Sequence, residues 1–264
     1  GGEQSKHGIW HEEIEECIER ANKHSLTIAG LHMHIGSGTD LAHLSQVCTA
    51  MERTAMAVGA SITSISAGGG LPTPYRDGEE TVDIAAYYEL WNATRERLAT
   101  QFGHHITLEI EPGRFLAAES GYLVGEVRAV KQMGGNLYYL LDTGFNNLAR
   151  PIMYGAYHPM AVCPANGDTD RPLQEAVVGG PLCESGDIFT QEEGGRVSSR
   201  SLPQANIGDY VVIGCAGAYG YTMASNYNSK PLCAEVLIDN GAAHLIRERQ
   251  TLDDLIRGEK IPGQ

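Results

Sequence analysis

Within the first 116 residues, a helical stretch followed by a short apolar stretch occurs three times, and this alternation narrows the fold more than any other feature. Over 11–24, Ile14, Cys17, Ile18 and Ala21 recur at i, i+3, i+4, i+7, one face of a helix. Leu26 to Ile35 is then of strand length and ends in the turn Gly36-Ser37-Gly38. Asp40 is placed to cap a second helix over 41–58, with Leu44, Val47, Met51 and Val58 along its face and Gly59 as its stop. Ser61 to Ala67 is the next strand and ends in Gly68-Gly69-Gly70. Asp83 opens a third helix, with Tyr87, Trp91 and Leu98 on one side. Ile106 to Ile110 follows and ends in Glu111-Pro112-Gly113-Arg114. Helices and strands alternating at this spacing predict parallel βα units.

Beyond residue 117 long helical patterns vanish. Tyr122–Val130, Leu137–Leu141, Glu175–Val178, Tyr210–Ile213 and Glu235–Ile238 are short and strand-like, with Gly, Pro and Asn between them, and 251–257 reads as a brief final helix. The expected fold class is α/β plus β, with residues 1–116 built from βα units and residues 117–264 a mostly β domain. Nineteen basic against 33 acidic residues give a net charge of −14, which argues against a nucleic-acid or anionic-membrane surface. No apolar run reaches the ~18 residues of a bilayer span, and no secretory leader is visible, so a cytoplasmic setting is expected. The six cysteines at 17, 48, 163, 183, 215 and 233 include no C-x-x-C pair and read as reduced thiols.

All three strands carry their unusual residues at the C-terminal end, the edge that holds active sites in parallel α/β folds. Alternation puts His32 and His34 on one face of the first strand. Such a pair can chelate a divalent metal, as in metal-dependent hydrolases, or one imidazole can stack on a flat cofactor ring. Two hydrogen-bonded core histidines account for the motif equally well. A metal site needs further strand-end ligands, and His104 and His105 lie at the wrong end, so no metal is expected. The triple glycine lets the backbone turn and aim N–H groups at an anion, though glycine runs also make plain turns. Glu111 beside Gly113 and Arg114 is suited to a cationic ring nitrogen on one side and a phosphate on the other, or to a plain rim ion pair. In the second half, Gly180-Pro181-Leu182-Cys183-Glu184-Ser185-Gly186-Asp187 and Gly217-Ala218-Tyr219-Gly220-Tyr221 put reactive side chains on glycine-flanked loops.

Taken together, HMHIGSG, SAGGGLPTPY, EIEPGRF, RPIMYGAYH, GPLCESGDIF and GAYGYTMASNYNS resemble the diaminopimelate decarboxylases, pyridoxal-phosphate enzymes with an alanine-racemase-like barrel and a C-terminal β domain. The resemblance implies the last part of a (β/α)8 TIM-type barrel followed by that β domain. It implies that His34 stacks on the cofactor ring, that Glu111 pairs with its nitrogen, and that Gly70, Gly113, Arg114 and Tyr219 surround its phosphate. Arg150 and Tyr154, with Arg114 and Tyr219, match positions that hold the substrate, with the two arginines and Tyr154 at its distal carboxylate. Glu184 matches the acid that takes the distal ammonium, and Cys183 the thiol that reprotonates the α-carbon. In such enzymes the last two serve the partner's site, so a homodimer acting on meso-diaminopimelate is implied. A related decarboxylase with another amino-acid substrate, a non-catalytic partner subunit, and a hydrolase using His32 and His34 are the alternatives.

The resemblance also implies a Schiff-base lysine at the end of an early barrel strand. The five lysines here, Lys6, Lys23, Lys131, Lys230 and Lys260, end none of the βα strands. A whole barrel takes about 250 residues, and three strands leave open edges. The isolated chain is therefore expected to be poorly soluble or partly unfolded and to hold no lysine-linked cofactor. Urea unfolding, and borohydride reduction with pyridoxal phosphate followed by mass spectrometry, check this. A soluble two-state folder carrying one linked cofactor per chain overturns it.

Overall fold

The structure is a computed structural model that describes residues 5–34 and 40–263, without the side chain of Leu41. The turn expected at Gly36-Ser37-Gly38 lies outside the described residues. The chain divides into two compact units, residues 1–74 with 78–116, and residues 75–77 with 117–264.

In the first unit, α1 (Ile14–Lys23), β1 (Gly30–His32), α2 (Leu41–Val58), β2 (Ser64–Ser66), α3 (Ile84–Phe102), β3 (Thr107–Glu109) and α4 (Gly113–Ala117), which reaches into the boundary, follow in order. The helices begin where their caps put them. Asp40 Oδ1 accepts from the Ala42 N–H at 2.9 Å, and Asp83 Oδ1 from the Ala86 N–H at 3.0 Å. Gly59 and Gly103, both at positive φ, end α2 and α3. The three strands pair in parallel in the order β1-β2-β3, with His32, Ser66 and Glu109 in one row. The strands are shorter than the apolar runs. Leu26, for instance, is exposed, because the ladder extends only as far as β2 offers partners. Leu44, Met51, Ile62, Ile65, Trp91, Leu98 and Ile106 form the core. Only the central strand is buried, and the apolar face of α1 is at most half-buried.

The second unit is built on a six-stranded sheet. Its elements are β4 (Leu123–Met133), β5 (Asn136–Leu141), α5 (Arg150–Tyr154), β6 (Met160–Cys163), β7 (Leu173–Gly179), β8 (Gln191–Glu192), β9 (Arg196–Val197), β10 (Arg200–Pro203), β11 (Tyr210–Ile213), β12 (Glu235–Asp239), β13 (Ala242–Arg247) and α6 (Leu252–Leu255). The sheet order is β10-β7-β5-β4-β11-β6, antiparallel except between β5 and β7. Val127, Tyr139, Leu141, Leu148, Val178, Phe189, Val211 and Ile213 fill the core. Arg171 and Asp209 form a buried ion pair, and Asp209 also accepts the N–H groups of Ala165 and Asn206. Burial works to raise the Asp209 pKa, but these bonds outweigh it and the pKa is lowered. The sequence pattern missed β6, β8, β9, β10 and β13, which lack strict alternation of apolar and polar residues.

Gly155 ends α5 in the left-handed region at φ 58°, and a Cβ there would stand 2.0 Å from the Glu193 nitrogen. The other close atoms, Glu192 C and Glu193 Cα, are backbone as well, so none can swing aside. Gly155→Ala is expected to cost at least about 2 kcal/mol of stability. Urea denaturation of the full-length protein measures this, and an unchanged midpoint contradicts the packing described.

Candidate active site

At the strand ends of the first unit, parallel pairing runs on past the strands. The Met33 N–H bonds Ser66 O, the Ala67 N–H bonds Glu109 O, and the Glu111 N–H bonds Gly68 O at 2.9 Å. This draws the three ends together. Gly68 sits at φ 65°, where a Cβ would meet the Met33 carbonyl at 2.4 Å. A Cβ on Gly69 would lie 3.0 Å from both the Glu111 carbonyl and His34 Cε1. The Gly69 N–H donates to His34 Nδ1 at 3.1 Å, which leaves the proton of a neutral His34 on Nε2. His32 Nε2 lies 3.1 Å from Glu111 Oε2 and holds that carboxylate. The two imidazoles are 6.5 Å apart and inclined by 27°. His34 and Glu111 are exposed, Arg114 is half-buried, and Gly70 takes a positive φ. The structure thus brings together His34, the glycines and Glu111. Among the described residues no three His, Cys, Asp or Glu side chains gather as metal ligands.

In the second unit Arg150 opens α5 and is only 7% exposed. Its Nη1 donates to His158 Nε2 at 3.1 Å, and its guanidinium lies 4.9 Å from the Tyr75 ring centroid and 6.0 Å from that of Tyr219. His158 is fully buried. Its Nδ1 donates to the Gly214 carbonyl at 2.9 Å. Burial lowers its pKa to about 4; the Gly214 bond opposes this, and the charges of Arg150 and Arg200 add to it. Tyr219 is held at φ 60°, an unusual conformation for tyrosine. Its neighbours Gly217 and Gly220 admit no Cβ, since one would meet Ala117 O at 2.0 Å and Ala216 O at 2.3 Å respectively. Tyr154, at the end of α5, is exposed.

Cys183 and Glu184 are exposed on a loop organised by Asp187. The buried Asp187 carboxylate accepts the N–H groups of Phe145 and Leu182, each at 2.8 Å. Burial raises its pKa against the pull of these bonds. Gly144 and Gly180 make room for it, because a Cβ on either would come within 2.7 Å of a carboxylate oxygen. Asn228 Oδ1 accepts the Cys183 N–H at 2.7 Å, and the Tyr227 hydroxyl donates to Glu184 Oε2 at 3.3 Å. The negative charge of Glu184 raises the Tyr227 pKa.

The chain is similar to known proteins over nearly all of its length. Residues 1–118 match the family "Pyridoxal-dependent decarboxylase, pyridoxal binding domain". Over 263 residues the chain is 55% identical to diaminopimelate decarboxylase of Escherichia coli K12, covering 99% of this chain and 63% of the relative. Identity to the Streptomyces coelicolor enzyme of that name is 50%, covering 100% and 60%. Residues 1–118 are thus similar to the pyridoxal-dependent decarboxylases, and nearly the whole chain to diaminopimelate decarboxylases. A crystal structure of a diaminopimelate decarboxylase superposes with a TM-score of 0.94 at 55% identity, covering 97% of this chain and 62% of that one. A Helicobacter pylori diaminopimelate decarboxylase complexed with L-lysine gives 0.82 at 31% identity, covering 97% and 60%. The chain therefore spans less than two thirds of the length of these decarboxylases. Within the family frame, sequence reading had no role for His158, Asp187, Tyr227 or Asn228. The readings of His32 as a metal ligand, a stacking imidazole or a core histidine did not include a support for Glu111. His158 lies in RPIMYGAYH, Asp187 in GPLCESGDIF and Tyr227 and Asn228 in GAYGYTMASNYNS, but a buried polar contact leaves no periodic signal.

An unfolded histidine titrates near 6.5, whereas folded His158 titrates near 4. The unfolded chain therefore takes up the proton first as pH falls, and this group's contribution to stability is lost between about 6.5 and 4, by roughly 3 kcal/mol in all. Denaturation of the full-length protein at pH 7 and 4.5 should show that loss in the wild type and a shallower one in His158→Gln. Parallel pH profiles would refute the buried neutral imidazole.

Proposed function

We propose that the chain is the C-terminal portion of an enzyme that uses pyridoxal phosphate to decarboxylate meso-2,6-diaminopimelate to L-lysine and carbon dioxide. On this reading residues 1–116 are the last part of a (β/α)8 barrel and residues 117–264 its β domain. The observation that carries it is the passage of Gly68 and Gly69, without side chains, against His34 and the Glu111 backbone. This leaves a backbone cradle flanked by an imidazole, a carboxylate and a nearby arginine, a donor set that fits a flat, phosphorylated, protonated pyridine. When bound, pyridoxal phosphate supplies an electron sink for the carbanion left by departing carbon dioxide.

The residues would share the work as follows. His34, tilted by its bond to Gly69, offers a ring face to the pyridine. Glu111 keeps the ring nitrogen protonated, since a carboxylate beside it favours the charged form. His32 holds Oε2 and leaves the other oxygen for that contact. Gly70, Gly113, Arg114 and Tyr219 serve the phosphate with backbone N–H groups and charge. Arg150 takes the distal carboxylate in its planar fork, a task that Tyr154 and Arg114 share. Glu184 takes the distal ammonium, and the Cys183 thiol delivers a proton to the α-carbon. The exposure of Cys183 and Glu184 supports their use by a second copy of the chain, hence a homodimer. Six free thiols fit a reducing, cytoplasmic setting. The linking lysine is none of the chain's own five and would come from the rest of the protein.

The test uses the full-length protein with pyridoxal phosphate, following carbon dioxide release and lysine formation from meso-diaminopimelate, with ornithine and arginine as competing substrates. Glu111→Ala should lower turnover by about 100-fold, and Glu184→Ala should lower kcat/KM for diaminopimelate by a similar factor. Preference for another amino acid, together with indifference to Glu184→Ala, would favour a related decarboxylase instead. Unchanged turnover in Glu111→Ala would remove that residue's role.

A further inference from the structure

We infer that His158 is a positioning residue that orients the Arg150 guanidinium for a substrate carboxylate and, being neutral, leaves its charge uncompensated. The inference rests on the reading of Arg150 given under Proposed function. A guanidinium as buried as Arg150 ordinarily sits with an acid, as Arg171 sits with Asp209 in the same unit. Among the described residues no carboxylate lies within ion-pair distance of Arg150, and its one hydrogen-bond partner is His158. The two bonds of this imidazole settle its state. The Gly214 carbonyl can only accept, so Nδ1 carries a proton. The guanidinium can only donate, so Nε2 must be bare. Only the neutral Nδ1–H form satisfies both.

The surroundings hold that form in place. Arg150 and Arg200 are the charged groups facing His158, and both oppose a further positive charge. The Tyr75 ring meets the imidazole edge-on with centroids 5.5 Å apart. The adjoining backbone is tied down too, since the Gly214 N–H bonds Pro159 O at 2.8 Å. The guanidinium is thus fixed at one N–H and soothed by two aromatic rings, while its full charge remains for a ligand. An acid at position 158 would fix Arg150 equally well and cancel that charge.

Three substitutions in the full-length holoenzyme separate positioning from packing. Position 158 becomes Gln, which keeps an acceptor near Nε2; Phe, which keeps bulk without one; or Glu, which adds charge. Expected for meso-diaminopimelate is a KM within about threefold of wild type for His158→Gln, about tenfold higher for His158→Phe and higher still for His158→Glu, with kcat changed least. Equal KM values in His158→Gln and His158→Phe, or a loss confined to kcat, would overturn the inference. NMR of the 15N-labelled holoenzyme reads the same contact without turnover. His158 should be the neutral Nδ1–H tautomer at pH 7, and the Arg150 side-chain N–H signal should persist in His158→Gln and vanish in His158→Phe. A protonated His158 at pH 7 would overturn it too. If wild-type enzyme does not act on diaminopimelate, the proposed function fails while the NMR arm still judges the contact.

Discussion

The strand-end arrangement depends on a backbone that carries no side chain where β2 runs out. Beyond Ser66 the chain keeps hydrogen-bonding to both neighbours, so the carbonyls of Met33 and Glu111 close in on residues 68 and 69. Parallel strands normally diverge into their loops. Here glycine lets the pairing persist, and the persistence sets the distance between His34 and Glu111. The chemistry of both side chains is therefore decided by what is missing between them. An alanine at 68 would need the first and second strand ends to separate, and with them the imidazole and the carboxylate.

The second unit solves a different problem by a related device. Its reactive side chains lie on loops, where little apolar contact is available to hold a conformation. One buried polar group anchors each loop instead. Asp187 gathers two backbone N–H groups beneath Cys183 and Glu184, and its raised pKa records what burying that carboxylate costs. His158 ties the start of α5 to the end of β11. Asp209, with Arg171 against it, closes the turns at Ala165 and Asn206. Glycines 144 and 180 take part in this economy, as they leave the space that Asp187 fills.

Helices α1, α2 and α3 and their order were legible in the sequence because each signal was local, whereas the short α4 and α5 were not. Asp40, Asp83 and Gly59 act on their own turns, and Leu44, Met51, Trp91 and Leu98 repeat with the helical period. The motif residues were legible as well, since glycine runs and strand-end His and Glu stand out from an apolar background. Strand lengths were not, because a ladder ends where the partner ends, as Leu26 illustrates. Nor was the hydrogen-bond wiring. Nothing in the spacing of His158 to Gly214, or of Asp187 to Phe145, marks those contacts, since they join positions 56 and 42 residues apart. The bond between His32 and Glu111 spans 79 residues and turns an apparent metal pair into one stacking candidate and one support.

The two buried arginines of the second unit differ in what surrounds their charge. Arg171 meets Asp209 directly, and both charges are consumed in holding two turns together; desolvating the pair is offset by the contact itself. Arg150 is equally withdrawn from water, yet its partners are an imidazole that cannot protonate easily and the faces of tyrosine rings. Each stabilises the guanidinium by dipole or quadrupole without neutralising it. The cost of burial is then only partly offset within the protein, and the remainder is available to an incoming anion. A carboxylate that arrives at such a cation finds it already oriented and already stripped of water, so little reorganisation is needed on binding. In a chain with a net charge of −14, acids are plentiful, so a neutral histidine beside a buried arginine marks a place where charge has been kept in reserve.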